Sequence, residues 1–272
     1  MSNSFSQSLS IDRVKKLKAA TVRVTIENSN SIGTGFFVSE DGLLFTCWHV
    51  IDSAIKKDAN GSIIGFNNIY VIINDTIKKE FGIPLSFFKD SNLIRQAQAY
   101  DFCFLIPNEK LSGKTSFLKL GNFDNATEGQ EIVTCGYPIG ISQKFISKGI
   151  ISTKYVDTLI FNTLYSKLKY NRSQALLDMT MNKGNSGGAI LLLADKEEND
   201  EVIGIADFII NPIGGLAETL IKTFDSRSGI VQLGGIDPNQ TFSNFTKILS
   251  ASSIGVSGCV SINHIKSVLG VK

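Results

Sequence analysis

The 272-residue chain is poor in the side chains that build metal centres and disulfide frameworks. Its two histidines, His49 and His264, are too few for a multi-histidine metal cage. Its four cysteines, Cys47, Cys103, Cys135 and Cys259, form no C-x-x-C pair, which sets aside a zinc knuckle, a thioredoxin-type motif and a disulfide scaffold. Charge of one sign is missing as well. With 27 basic and 25 acidic residues, the net +2 gives no basic field for nucleic acid or a membrane surface. No apolar run approaches the ~20 residues that cross a bilayer. The start, Met1-Ser-Asn-Ser-Phe-Ser-Gln-Ser8, lacks the basic and apolar regions of a secretory leader. These absences give the expectation of a cytoplasmic protein with reduced thiols, no metal and no cofactor. With 43% hydrophobic residues and little net charge the chain is not disordered, and its length allows one large domain or two lobes.

What is present reads mainly as β-structure. Thr21-Val-Arg-Val-Thr-Ile26 alternates with period two, and Gly35–Ser39 and Gly42–Thr46 flank the turn at Glu40-Asp41-Gly42. Further apolar or β-branched runs are Ile69–Ile73, Phe102–Ile106, Glu131–Cys135, Lys148–Ser152, Leu176–Met179, Ala189–Leu193, Val202–Ile210 and Gly255–Val260. Their spacing and the 24 glycines fit a barrel or sandwich. Helical patterns are few: Ser10–Leu17 with Ser10 as N-cap, Gly215–Phe224, Phe242–Leu249 and Ile262–Leu269. The polar loop Gly121–Gly129 is the best lobe boundary, dividing the chain into 1–125 and 126–272.

Gly184-Asn185-Ser186-Gly187-Gly188 is the sharpest local signal. A serine between glycines is held exposed on a tight backbone whose N–H groups can face a developing anion. The run also satisfies G-x-S-x-G, so two hydrolase architectures compete. A nucleophile elbow needs a helix after the serine, yet Gly187-Gly188 leads into the apolar run Ala189–Leu193, and each Gly costs a helix roughly 1 kcal/mol. The other architecture places a base and an orienting acid upstream, in the order His, Asp, Ser. His49 lies in Thr46-Cys-Trp-His-Val50 at the end of an apolar strand, and Asp101 begins the apolar run Asp101–Ile106. Alone, each of these two is more often a structural or turn residue; in this order they support the second architecture. The elbow would need His264 as base, but its polar neighbours mark it as an exposed structural residue.

These residues resemble the chymotrypsin-fold serine peptidases, most closely the bacterial HtrA-type protease domain. Gly33–Val50, Tyr100–Leu105, Gly136–Gly140, Ser147–Ser152, Asn182–Gly188, Glu201–Ile205 and Val256–Ile262 are similar to the family's segments in the expected order. The likeness runs from about residue 11 to 269 and leaves no length for a PDZ module. It implies an all-β fold of two antiparallel six-stranded Greek-key barrels with a few short helices. It also implies a catalytic triad of His49, Asp101 and Ser186, with an oxyanion hole from the N–H groups of Gly184 and Ser186. The base of the primary pocket would be Thr180, beside Met181, with Ile205, Ala206 and Asp207 on its wall. No acid stands at Thr180, so small or medium apolar P1 residues are expected rather than Lys or Arg.

Three features depart from the pattern or lie outside it. Asn185 stands where secreted relatives carry an Asp that pairs with a freed N-terminus, as it does in the HtrA branch, so that activation route is not expected. Cys47 and Cys103 flank the triad; they read as small buried hydrophobes, or as thiols meeting behind it. Residues 211–254 form an insertion that serves as lid, docking element or surface excursion. Three functions compete: a serine endopeptidase acting on protein or peptide substrates, a silent trypsin-fold binding module, and an esterase-type hydrolase. Neither nucleic acid nor membrane is expected as a partner, and the sequence does not speak to oligomeric state.

Overall fold

The computed structural model describes residues 9–60, 63–138, 141–162, 167–209, 214–230, 232–251 and 255–270. The first lobe holds β1 (Thr21–Ile26), β2 (Ile32–Phe37), β3 (Leu44–Thr46), β4 (Ile55–Lys57), β5 (Ile63–Phe66), β6 (Ile69–Ile73), β7 (Ile77–Gly82) and β8 (Cys103–Pro107). The second holds β9 (Glu131–Gly136), β10 (Phe145–Asn162), β11 (Lys167–Asp178), β12 (Ala189–Leu192), β13 (Glu201–Ile209) and β14 (Val256–Ser261). Six strands close into a barrel in each lobe: β1-β2-β3-β8-β7-β6 and β9-β10-β11-β14-β13-β12. Leaving out the separate β4–β5 pair, both rings follow one path: three consecutive strands, then the sixth, fifth and fourth. Every ladder is antiparallel. The double barrel implied by the resemblance is the observed fold.

Alternation fixes which side chains fill each barrel. In β1, Val22, Val24 and Ile26 are buried while Arg23 and Thr25 are only partly covered. The first barrel's core, with Phe36, Phe37, Phe45, Phe81 and Leu105, continues without a break into Val133, Ala189, Leu191 and Val202 of the second lobe. A separate cluster of Ile132, Ile151, Leu177, Met179 and Ile203 fills the second barrel.

Seven helices are described: α1 (Ile11–Ala20), α2 (Trp48–Ile51), α3 (Leu85–Lys89), α4 (Ser91–Tyr100), α5 (Gly214–Asp225), α6 (Pro238–Ala251) and α7 (Ile262–Leu269). Ser10 caps α1 as expected, accepting from Arg13 N–H, and the helix runs three residues further than its pattern suggests. Arg13 then reaches the second lobe, pairing its Nε with Asp200 Oδ2 at 2.8 Å in a buried ion pair. Both α5 and α6 fall in the insertion, joined by the Phe224–Phe242 stack and the Lys247–Asp225 pair. Residues 210–213, 231 and 252–254 of that stretch and its borders lie outside the described residues.

Several elements differ from expectation. Helices α2 and α3, of four and five residues, are too short to carry a repeat, and α4 stands where nothing was assigned. Strands β10 and β11 form a hairpin much longer than Lys148–Ser152 and Leu176–Met179, its ladder continuing past the irregularity at Ile151/Thr153 as far as the Asn162–Lys167 pair.

Candidate active site

His49 follows β3 on α2, a single helical turn pinned by Trp48, which is buried and stacks on Phe87 at 6.0 Å. Asp101 does not begin a strand. It is the C-cap of α4, at φ 51°, with its N–H donating to Ala97 O. That helix starts on Asp90, whose side chain accepts from the N–H groups of Asn92 and Leu93. An αL cap turns the chain sharply, and Asp tolerates that conformation better than most residues. The turn brings Asp101 onto His49: Asp101 Oδ1 accepts from His49 N–H at 2.9 Å, and Oδ2 lies 2.5 Å from Nδ1. The His49 side chain remains 48% exposed while Asp101 is only 13% exposed. Burial raises the Asp101 carboxyl, but the hydrogen bonds and charge of His49, with the Cys47 thiol, outweigh it and hold it below the usual carboxylate range.

Ser186 lies on the loop between β11 and β12. No helix follows it; the chain passes through Gly187-Gly188 into β12, which rules out the elbow. Gly187 has φ +87°, and a Cβ there would stand 2.1 Å from Thr34 O and 2.3 Å from Thr46 Oγ1, so only glycine fits between loop and first barrel. Gly184 has φ +101° and is tied to Thr34, whose Oγ1 donates to its carbonyl at 2.6 Å. Thr34 N–H donates to Ser186 O at 2.9 Å, and Gly187 N–H to Ala206 O at 2.8 Å. Thus β2 of the first lobe and β13 of the second hold the serine loop from two sides. Among the described residues, neither Gly184 N–H nor Ser186 N–H has a protein acceptor.

The Ser186 hydroxyl rests on Asp207 O at 3.4 Å, and among the described residues no hydrogen bond joins it to His49. The Asp207 carboxylate belongs to the same place. One donor atom each from Cys47, His49, Asp101 and Asp207 lie within 4.8 Å of one another. These types can ligate a metal, but each is already engaged: Asp101 with His49, Asp207 with Arg172, and Cys47 S–H with Ala206 O at 3.2 Å. Of the residues assigned to the substrate pocket, Thr180 is exposed and Met181, Ile205 and Ala206 are buried.

His264 is not the exposed residue its neighbours suggest. Its ring stacks on Tyr100 at 3.9 Å and 5°, and Nε2 accepts from Ser173 N–H at 2.9 Å. Burial, foremost, lowers its pKa to about 4. It joins α7, α4 and β11 directly behind Asp101. Cys47 and Cys103 are fully buried free thiols, pushed up by burial. Sequence reasoning missed Arg172, which sits in a polar strand with no local signal, and the stacking of Tyr100 on His264.

Two six-stranded barrels with a His–Asp pair on one and a glycine-bracketed serine on the other define a chymotrypsin-like architecture. The chain belongs to the trypsin-like peptidase domain family, whose profile matches residues 33–205. It is 28% identical over 195 residues to the magnetosome formation protease MamE of Paramagnetospirillum magneticum, covering 71% of this chain and 22% of that protein. It is 30% identical over 183 residues to a probable periplasmic serine endoprotease DegP-like of Chlamydia trachomatis, covering 67% of this chain and 29% of that one. The solved HtrA-type protease AlgW with tripeptide superposes with a TM-score of 0.57 at 18% identity, over 94% of this chain and 61% of that chain. The chain therefore spans less than a third of the length of these two curated relatives. The DegP-like relative, named periplasmic, lends no support to a cytoplasmic placement. No helix among the described residues is long and apolar enough to cross a membrane.

Proposed function

We propose that this chain is a serine endopeptidase that cleaves protein or peptide substrates through an acyl-enzyme, with the site shared between lobes 1–125 and 126–272. The observation that carries the reading is the two-point grip of Asp101 on His49, at 2.9 and 2.5 Å, beside a serine loop held by β2. Asp101 fixes the tautomer with Nδ1 protonated, leaving Nε2 as the base for Ser186 Oγ, and stabilises the imidazolium that forms. For proton transfer the hydroxyl exchanges the Asp207 carbonyl for Nε2; catalytic hydrogen bonds often tighten only when substrate is bound. The N–H groups of Gly184 and Ser186 receive the oxyanion, each such donor being worth about 3–4 kcal/mol. With Thr180 at the pocket base and Met181, Ile205, Ala206 and Asp207 around it, P1 is a small or medium apolar residue.

The silent-module reading draws on the same unformed Ser186–His49 bond. A fluorophosphonate probe separates the two: the peptidase reading expects labelling of the wild type and none of Ser186→Ala, with peptide hydrolysis lowered at least ~10³-fold and unchanged thermal stability. Equal behaviour of the two proteins refutes the assignment. Turnover of simple esters without peptide cleavage would favour the esterase reading.

A further inference from the structure

Strand β13 is buried and apolar from Val202 to Ala206, then carries Asp207. The side chain of this acid is only 8% exposed and forms an ion pair with Arg172 of β11, itself 15% exposed. Its place is unusual because it stands beside a second acid. The Asp207 carboxylate lies within 4.8 Å of donor atoms of both His49 and Asp101, and the Asp207 carbonyl supports the Ser186 hydroxyl at 3.4 Å. Two largely buried carboxylates that close to one imidazole both favour its protonated form. A histidine held protonated is no base. Arg172 removes that conflict, since the charges of Arg172 and Asp207 cancel and leave Asp101 as the one uncompensated acid.

The other groups around this cluster do not take over that task. Cys47, between β3 and α2, is held as a neutral thiol by burial and the neighbouring Asp101. His264 on α7, next to Arg172 through Ser173, is held neutral by burial. Asp52, just after α2, is paired with Lys57 at 3.4 Å.

We infer that Arg172, acting through Asp207, is a positioning residue of the site: it pairs with the second acid beside His49 and keeps that carboxylate's charge off the imidazole. This rests on the peptidase reading above. The side chain of Asp207 is thereby turned to the back of the triad, and its part in the substrate pocket is left to its backbone.

The test is the acid limb of kcat/KM against pH, with fluorophosphonate labelling rate as a second readout. Arg172→Met leaves Asp207 unpaired and moves the limb up by about one pH unit, a tenfold loss below it. Asp207→Asn leaves Arg172 unpaired and moves the limb down. The double variant Arg172→Met/Asp207→Asn returns it close to the wild-type position, and Arg172→Lys, which keeps the charge, stays there too. Limbs that do not move, or losses equal at every pH, overturn the inference. Should Arg172→Met fail to fold, Asp207→Asn decides alone: a lowered limb supports it and an unmoved one overturns it. Wild type and Ser186→Ala alike failing to label would instead sink the peptidase reading itself.

Discussion

His49 and His264 show how environment assigns different work to one residue type. His49 keeps an open face and an acid partner, whereas His264 is enclosed between Tyr100 and Ser173. Burial lowers His264 from 6.5 to about 4, so between those values the unfolded chain binds a proton that the folded chain refuses. Its contribution to stability is complete above pH 6.5 and is lost as pH falls towards 4, amounting to as much as ~3 kcal/mol. His264→Gln retains an acceptor for Ser173 N–H but does not titrate. Urea midpoints measured from pH 7 to 4 are expected to fall steeply for the wild type and to flatten for the variant; parallel curves would contradict this. The polar neighbours of His264 were legible in the sequence, while its stacking on Tyr100 was not, since the two are 164 positions apart.

Among the elements, α1 does the most with the least sequence. Its cap was readable from Ser10, but its partner was not: Arg13 looks like any exposed helix cation until it meets Asp200 in the second lobe. Asp200 Oδ1 also accepts from Ala194 N–H at 2.9 Å, so the pair closes the tip between β12 and β13 onto α1. Arg13→Met leaves a buried carboxylate without its cation, at a cost of about 3–5 kcal/mol. Thermal melting is expected near 10 °C lower at ~2–4 °C per kcal/mol, and a change of under 2 °C would show that the pair is dispensable. Helix α4 is the opposite case. Its Asp90 cap and the Leu93, Ile94, Ala97 spacing were present in the sequence. They were hidden by the apolar strand that follows, and with them went the αL turn that aims Asp101.

At the scale of the whole molecule, the lobes are two rings of identical path but not two independent units. The first core runs through Val133, Leu191 and Val202 into Ile262 and Ile265 of α7. Thr34 joins the lobes at the serine loop, and Arg13 joins them at the far side. Separating the lobes would expose fully buried side chains at roughly 1.5–3 kcal/mol each, so neither lobe gains by unfolding first. A single calorimetric transition follows, with equal calorimetric and van't Hoff enthalpies. Two resolved transitions, or a stable isolated 126–272 fragment, would show the lobes to be separable.

Local pattern determined the all-β class, barrel or sandwich, the β-alternation and the nature of the serine loop. Period-two burial and the glycines around Ser186 follow from backbone sterics acting over a few residues. Order along the chain also placed His49, Asp101 and Ser186 as candidates. Only the tertiary structure decided which acid holds which base. Asp101 and Asp207 are both single acids beside apolar runs; chain order singles out Asp101, which lies between His49 and Ser186, but gives no partner for Asp207. Folding gives the first to His49 and the second to Arg172, because charge pairing in a space of low polarity depends on distances that are set when the two barrels close against each other.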